Sequence, residues 1–394
     1  MTTLHQDSDV QLIELGDIVT SAQSGFASGE RDANGVVQLR MNNVTTEGAL
    51  DWSNVLRVPG TKKQVKKYQL LPGDILFNAT NSPNLVGKTA VFKGYQEPIV
   101  FSNHFVRLRA DSTNVDSNYL GLWFTRQWQL HIFEHLCTQW VNQATVRKED
   151  LLLLKVPLPS LPEQRRIAAL LDKADHLRRT RRYAAQLSDT FLQAVFVRMF
   201  GDPVRNPMGW EKATLEELGK VTTGSTPPTA NQGMFGGSIP FITPSDLEVD
   251  TINTGRYVTE EGAVESRIVR AGSTMVCCIG ATIGKMDKTR TRSTFNQQIN
   301  AIEWGTKIND DYGLAMIRFY AGFIAARGKS TTLPILKKSE FEEIAVPIPP
   351  LALQEKFARV VQQFERLRAQ QREAERQAEH LFQTLLHRAF SGEA

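Results

Sequence analysis

His131-Ile132-Phe133-Glu134-His135 sets two imidazoles four residues apart with a carboxylate between them. On one helical turn that spacing would hold a zinc ion beside a general base, so a hydrolase using His131, Glu134 and His135 is one reading. The matching stretch of the second half, Gly322-Phe323-Ile324-Ala325-Ala326, has no metal ligand, which favours an ordinary helix surface. Two further strings imitate a phosphate loop. Leu85-Val86-Gly87-Lys88-Thr89 ends correctly but has Ser82 where the first glycine belongs. Gly280-Ala281-Thr282-Ile283-Gly284-Lys285-Met286 is one residue short, with Met where Ser or Thr would meet Mg²⁺. Both are expected to be turns, leaving Lys88 and Lys285 as candidates for touching a phosphate oxygen.

The remaining polar clusters suit recognition better than reaction. Reading bases takes amides, guanidinium groups and hydroxyls on loops, and affinity takes Lys and Arg near phosphates. Lys62, Lys63, Lys66 and Lys67 form a basic cluster beside Tyr68. Asn78, Asn81 and Asn84, then Trp140, Asn142 and Gln143, are candidate base readers in the first half. Thr223, Ser225 and Thr226, then Thr243, Ser245 and Asp246, then Lys329, Ser330 and Thr331 are their counterparts in the second. All of these triplets are also ordinary turn chemistry. Arg178, Arg179, Arg181 and Arg182 make a basic run that suits DNA, an acidic partner or a solvated helix flank.

The chain repeats itself, and the repeat dictates the elements that carry these clusters. Leu15-Gly16-Asp17 answers Leu218-Gly219-Lys220, Leu71-Pro72-Gly73 answers Arg270-Ala271-Gly272, and Gly87-Lys88 answers Gly284-Lys285. Phe101-Ser102-Asn103-His104 answers Phe295-Asn296-Gln297-Gln298, and Val156-Pro157-Leu158-Pro159 answers Val346-Pro347-Ile348-Pro349. The separation shrinks steadily along the chain, as loop deletions in a shared scaffold would produce. Each half ends in a long run without Gly or internal Pro. Ile167, Leu170, Ala174, Leu177, Phe191 and Val195 fall on a heptad seam, with Arg181 and Ser188 in the gaps. The same phase returns at Phe357, Val360, Phe364, Leu367, Ala374, Ala378, Leu381 and Leu385, with Gln371 answering Arg181. A compact domain tends to have its ends close together, so the second helix is expected to run back along the first as an antiparallel coiled coil. Taking about 1.5 Å per residue, the first seam extends about 42 Å, longer than one turn of duplex DNA.

Bulk properties agree with two domains plus connectors. The 394 residues are 41% hydrophobic and 22% charged, with a formal charge of +4, an ordinary globular composition with mildly basic balance. Adjacent Cys277 and Cys278 with a lone Cys137 argue against a disulfide framework and for a reducing, cytoplasmic setting. The N-terminal stretch lacks a basic and apolar leader, and no run is long enough to span a bilayer, so no membrane partner is expected. The expected fold is α+β: mixed domains at 1–160 and 201–349, the latter including a Gly- and Pro-rich linker, with spacer helices at 161–200 and 350–394.

In this order the motifs resemble the specificity subunits of Type I restriction–modification systems, over essentially the whole chain. The resemblance rests on Leu71-Pro72-Gly73-Asp74-Ile75-Leu76, Val156-Pro157-Leu158-Pro159 leading into Leu161-Pro162-Glu163-Gln164, and Met199-Phe200-Gly201-Asp202-Pro203. It rests also on Ile239-Pro240-Phe241-Ile242-Thr243-Pro244-Ser245-Asp246-Leu247, Asn296-Gln297-Gln298-Ile299-Asn300 and the closing Ala389-Phe390-Ser391-Gly392. It implies two target-recognition domains, each reading half of a split duplex site, and helices that set the spacer and dock two methyltransferase subunits. Restriction–translocase subunits are further candidate partners. One departure is Leu351-Ala352-Leu353-Gln354 where the first helix has Leu161-Pro162-Glu163-Gln164, so docking through Glu163 would be unequal. The chain itself is expected to be non-catalytic. Asn78-Ala79-Thr80-Asn81-Ser82-Pro83 lacks the paired prolines of an adenine-methylating loop. No cofactor is expected in this chain; S-adenosylmethionine, ATP and Mg²⁺ belong to the expected partners. The competing reading is an interaction scaffold without DNA affinity.

Overall fold

The computed structural model describes residues 10–141, 143–228, 233–248, 254–327 and 334–391, without the side chains of 185–190. Asn142, Lys329, Ser330 and Thr331 lie outside the described residues, as does the side chain of Ser188. The chain divides into two compact units, Met1–Arg182 with Ala374–Ala394, and Tyr183–Glu373. Each unit holds one globular segment and half of each long helix.

In the first unit the central sheet is antiparallel, with strands Val19–Ser24, Phe105–Ala110, Asp74–Asn78 and Thr89–Val91 side by side. The run Ile75-Leu76-Phe77 is apolar without alternation because both faces are covered. Ile75 and Phe77 pack into the core shared with helix Ser117–Gln129, while Leu76 packs the other way, with Val37, Leu39 and Phe101. These belong to a smaller sheet of Leu56–Val58, Val36–Leu39 and Ile99–Phe101.

In the second unit Gly219–Thr223, Ile299–Trp304, Thr274–Cys277 and Met286–Lys288 take the same order. Val276 faces the core under helix Asp310–Phe319, and Met275 and Cys277 face Ile242 and Phe295. The repeat legible in the sequence is therefore a repeat of topology.

Both units fasten their globular segment to the long helix by the same device. Gln164 lies fully buried in the first turn of helix Leu161–Phe200. Its Oε1 accepts from the Asp116 N–H at 2.9 Å, and its Nε2 donates to the carbonyls of Asn114 and Pro159. Gln354, in helix Leu351–Ser391, accepts from the Asn309 N–H at 2.9 Å and donates to the carbonyls of Lys307 and Pro349. A buried hydroxyl adds a second tie in each case, from Tyr119 to the Pro157 carbonyl and from Tyr312 to the Pro347 carbonyl. Burial pushes both phenols well above their ordinary pKa, so they remain donors.

The helices pair antiparallel within each unit. In the first, Leu171 and Ala174 pack with Phe382 and Leu386, and Ile167 and Leu385 flank them. In the second, Phe196 and Phe200 meet Phe357, Val195 packs beside them, and Phe191 stacks on Phe364 at 5.3 Å. The seam expected from sequence needs correction in phase. Leu170, Leu177, Leu367 and Leu381 are exposed and Val360 is only half-buried. Phe191 covers one face of its ring on Phe364 and leaves much of the rest open. The buried set in the first unit is Gln164, Ala168, Leu171, Ala174 and Arg178; it keeps Ala174 from the heptad expectation and otherwise lies one residue on from it. The cause is the anchored glutamine: fixing Gln164 inward sets the rotation of every later turn, and the leucines one position earlier are carried to the flank.

The buried polar residue is accordingly Arg178 rather than Arg181, which is exposed. The Arg178 guanidinium lies 4.1 Å from the Phe382 ring centroid and pairs with Asp175 and Glu379. Arg179 also pairs with Asp175, and Arg182 approaches Glu47, Glu375 and Glu379. Most of the basic run is engaged within its own unit.

Candidate nucleic-acid interface

Strand Asp74–Asn78 continues into Thr80–Asn81, which joins a hairpin of Thr138–Trp140 and Gln143–Thr145 in a three-stranded sheet. Two clusters far apart in sequence are thereby brought together: Asn81 pairs with Ala144, Thr80 with Thr145, and Trp140 with Gln143. Alternation puts Thr80, Thr138, Trp140, Gln143 and Thr145 on one face, while Ala144 on the other is fully buried. The Thr80 and Thr145 hydroxyls lie 3.2 Å apart. Asn81 shares the inner face with Ala144, its Oδ1 accepting from the Ser82 N–H, and Asn84 takes a hydrogen bond from the Ser82 hydroxyl.

A third segment closes on this sheet. The carbonyl of His104, in the turn between strands Ile99–Phe101 and Phe105–Ala110, accepts from the N–H groups of both Ala79 and Thr80. Gly25 lets the chain before it approach: a Cβ there would fall 2.3 Å from the carbonyl oxygens of Phe101 and Ser102.

The second unit repeats the centre of this junction with fewer bonds. The Cys278 N–H donates to the Gln298 carbonyl, Ile279 bridges Ile335, and a Cβ on Gly224 would fall 2.2 Å from the Asn296 carbonyl oxygen. Its side chains are amides and hydroxyls. Thr226 donates to Gln297 Oε1 at 2.8 Å, Asn296 Nδ2 to Gln298 Oε1 at 3.0 Å, and Thr223 to Asn300 Oδ1 at 2.7 Å. The Ser225 hydroxyl donates to the Glu265 carbonyl at the end of helix Glu260–Glu265, and the Ser266 hydroxyl donates to the Ser225 carbonyl. Thr223, Ser225 and Thr226 thus belong to the same cluster as Asn296, Gln297 and Gln298, which in the sequence mark the repeat and the family resemblance but no site. Recurrence of that turn in both halves is the signal that could have marked it, and His104, Thr80, Thr138 and Thr145, as a site.

Other candidates are placed elsewhere. Asn78 is fully buried and Lys88 nearly so; the Lys88 ammonium donates to the Val44 carbonyl at 2.6 Å. Burial lowers the pKa of Lys88, against the nearby Glu47 charge. Neither side chain is open to solvent, which corrects the expectation for both: each sits at the buried end of a hairpin whose turn packs on Phe133 of helix Ile132–Leu136. Gly87, seated on the Phe133 ring, and Gly284 are both left-handed turn residues, so the phosphate-loop imitations are equivalent β-turns. Lys285 differs from Lys88 in being partly exposed, 4.0 Å from Glu248. Thr243, Ser245 and Asp246 close a turn on themselves, with Asp246 accepting from the Thr243 N–H and hydroxyl.

Lys62, Lys63, Lys66 and Lys67 are exposed on one short helix, Lys62–Tyr68, with Lys67 over the Tyr68 ring and Tyr68 5.1 Å from Phe26. The zinc reading fails on geometry. His131 caps helix Ile132–Leu136 from left-handed backbone, so its side chain leaves the i, i+4 register with His135, and its Nδ1 lies 2.9 Å from Glu134. No group of three metal-ligating side chains occurs among the described residues.

The sequence profile of the Type I restriction modification DNA specificity domain matches this chain twice, over residues 7–184 and 207–378. The chain belongs to that family. A putative Type I restriction enzyme specificity subunit of Methanocaldococcus jannaschii is 24% identical over 372 residues, covering 89% of this chain and 85% of that protein. The EcoR124I/EcoR124II specificity subunit of Escherichia coli is 24% identical across 58% of each chain. The solved S subunit from M. genitalium shares the fold, with a TM-score of 0.65 at 15% identity over 98% of both chains. As a specificity subunit, the protein is non-catalytic, works in DNA recognition, and leaves the reactions of the system to its partner subunits. Among the described residues no helix is long and apolar enough to cross a membrane.

Proposed function

We propose that each unit reads one half of a bipartite duplex site through the three-segment junction described above. The observation that carries this reading is that two stretches with little identity assemble the same junction, each time lined with uncharged hydroxyl and amide groups. Such groups match base edges, whereas affinity for the backbone needs cations. The two long helices set the spacing between half-sites. Their exposed apolar positions, Leu170 and Leu177 on one and Leu367 with half-buried Val360 on the other, are seven residues apart at matching places. They suit docking of two modification subunits, one per repeat. Those partners bring S-adenosylmethionine for adenine methylation, and any restriction subunit brings ATP and Mg²⁺. Glu163 is held by Arg166 at 2.6 Å, so docking through the leucine pairs is favoured over docking through Glu163.

Exchange of residues 201–349 for the same segment of another specificity subunit tests the reading. Methylated-adenine mapping is expected to show one half-site changed and the other retained; change in both would refute modular reading. Inserting one heptad at matched places in both helices is expected to lengthen the preferred spacer.

A further inference from the structure

Trp140 and Val141 stand at the tip of the hairpin Thr138–Trp140/Gln143–Thr145, with 70% and 98% of their surface exposed. The other five tryptophans are embedded. Trp52 stacks on Tyr95, Trp123 is buried beside Phe124, and Trp128 packs against the core. The Trp210 indole N–H donates to the Phe200 carbonyl, and that of Trp304 to Thr274. Among the described residues Trp140 alone lies open, at the end of a two-stranded ribbon narrow enough for a DNA groove. The open indole and the open valine beside it put apolar surface at the tip where a partner can cover it.

The surroundings say which kind. The same face carries Thr80, Thr138, Gln143 and Thr145, with no charged side chain among them. A phosphate would want cations, and a helix groove would want more apolar area than two side chains supply. A base offers a flat π surface with donors and acceptors at its edges, which is what an indole flanked by hydroxyls and an amide complements.

We propose that the hairpin tip is a stacking wedge: the Trp140 ring packs against a base of the half-site read by the first unit and unstacks it from its neighbour, with Val141 filling the groove beside it. The inference rests on the DNA-reading role proposed above. It also separates the two halves. Because Thr145 and Ile335 occupy the same ladder position, Trp140 and Val141 correspond in sequence to Ser330 and Thr331. The wedge therefore acts at one half-site only.

The test uses the complex reconstituted with its modification subunits and duplexes carrying the mapped target, with 2-aminopurine scanned through both half-sites at positions other than the methylated adenines. The expected result is enhanced fluorescence at a position in the first unit's half-site and none in the other. Trp140→Ala should abolish that signal and weaken specific binding on the order of tenfold, while Trp140→Phe keeps most of both. Specific binding by the wild-type complex with no unstacking signal at any position would overturn the wedge and leave the reading role standing. Failure of the wild-type complex to prefer its own target would remove the reading role and the wedge with it. A Trp140→Ala subunit that assembles poorly with its partners, yet keeps the signal and the affinity, would make the tip a protein contact and overturn the proposal.

Discussion

The helices Lys62–Tyr68 and Glu260–Glu265 occupy the same place in their respective units and carry opposite charge. Each opens on a threonine cap, Thr61 accepting from the Gln64 N–H and Thr259 from the Gly262 N–H. Each ends against the segment that leads into the three-segment junction, through Tyr68 and Phe26 in one case and Glu265 and Ser225 in the other. Yet one reads Lys-Lys-Gln-Val-Lys-Lys and the other Glu-Glu-Gly-Ala-Val-Glu. Caps and backbone bonds hold the scaffold, and they tolerate either sign on the outer face. The two units therefore share a junction geometry while presenting opposite charge beside it. Lys88 and Lys285 repeat the lesson on a smaller scale: the same turn buries one ammonium on the Val44 carbonyl and leaves the other at the surface beside Glu248.

Reversing Lys62, Lys63, Lys66 and Lys67 to glutamate, in imitation of the second unit, is the strongest way to break this contrast. Duplex affinity of the complex at fixed low salt should fall about a hundredfold or more, and the slope of log affinity against log salt should flatten by about 0.9 for each phosphate no longer neutralised. An unchanged slope would place the helix away from DNA. The glutamine anchors should instead behave alike. Gln164→Leu and Gln354→Leu each strand a buried N–H and two carbonyls and should each cost about 2–3 kcal/mol in denaturant unfolding. A large inequality would show that the two ties are not equivalent.

Lys285→Met should weaken binding severalfold with a salt slope shallower by about 0.9, while Lys88→Met should leave the slope unchanged and alter only stability. The smallest effect concerns Cys278, whose thiol burial pushes up to about 12 from an ordinary 9. Its folded-state value lies above the unfolded one, so the stability it contributes is present below about pH 9 and fades between 9 and 12. Cys278→Val should reduce that alkaline loss in melts at pH 8 and pH 11.

Much of this was legible without coordinates because repetition is a property of order along a chain. Val156-Pro157-Leu158-Pro159 and Val346-Pro347-Ile348-Pro349 mark the ends of two equivalent segments, and the helices after them have an apolar period that the order of residues alone reveals. The phase of those helices was not legible. A heptad pattern ranks Leu170 and Leu177 as core, and only the inward anchoring of Gln164 shows that Leu171 and Arg178 take that role. The candidate clusters divide by the same rule. Residue type selects Trp140 and Gln143, which are exposed, and by the same criterion Asn78 and Lys88, which are interior.

The sequence by itself determined the duplication, the antiparallel helix pairing and the family, since each depends on which residues recur and at what separation. Tertiary structure alone decided which recurring residues meet. That Thr80 joins Trp140 and Gln143, or that Thr226 orients Gln297, follows from strand pairing and turn closure across distances no local pattern encodes. Side-chain type states what a residue can bond, and burial and register settle what it does bond, because a polar group taken from water must find its partner inside.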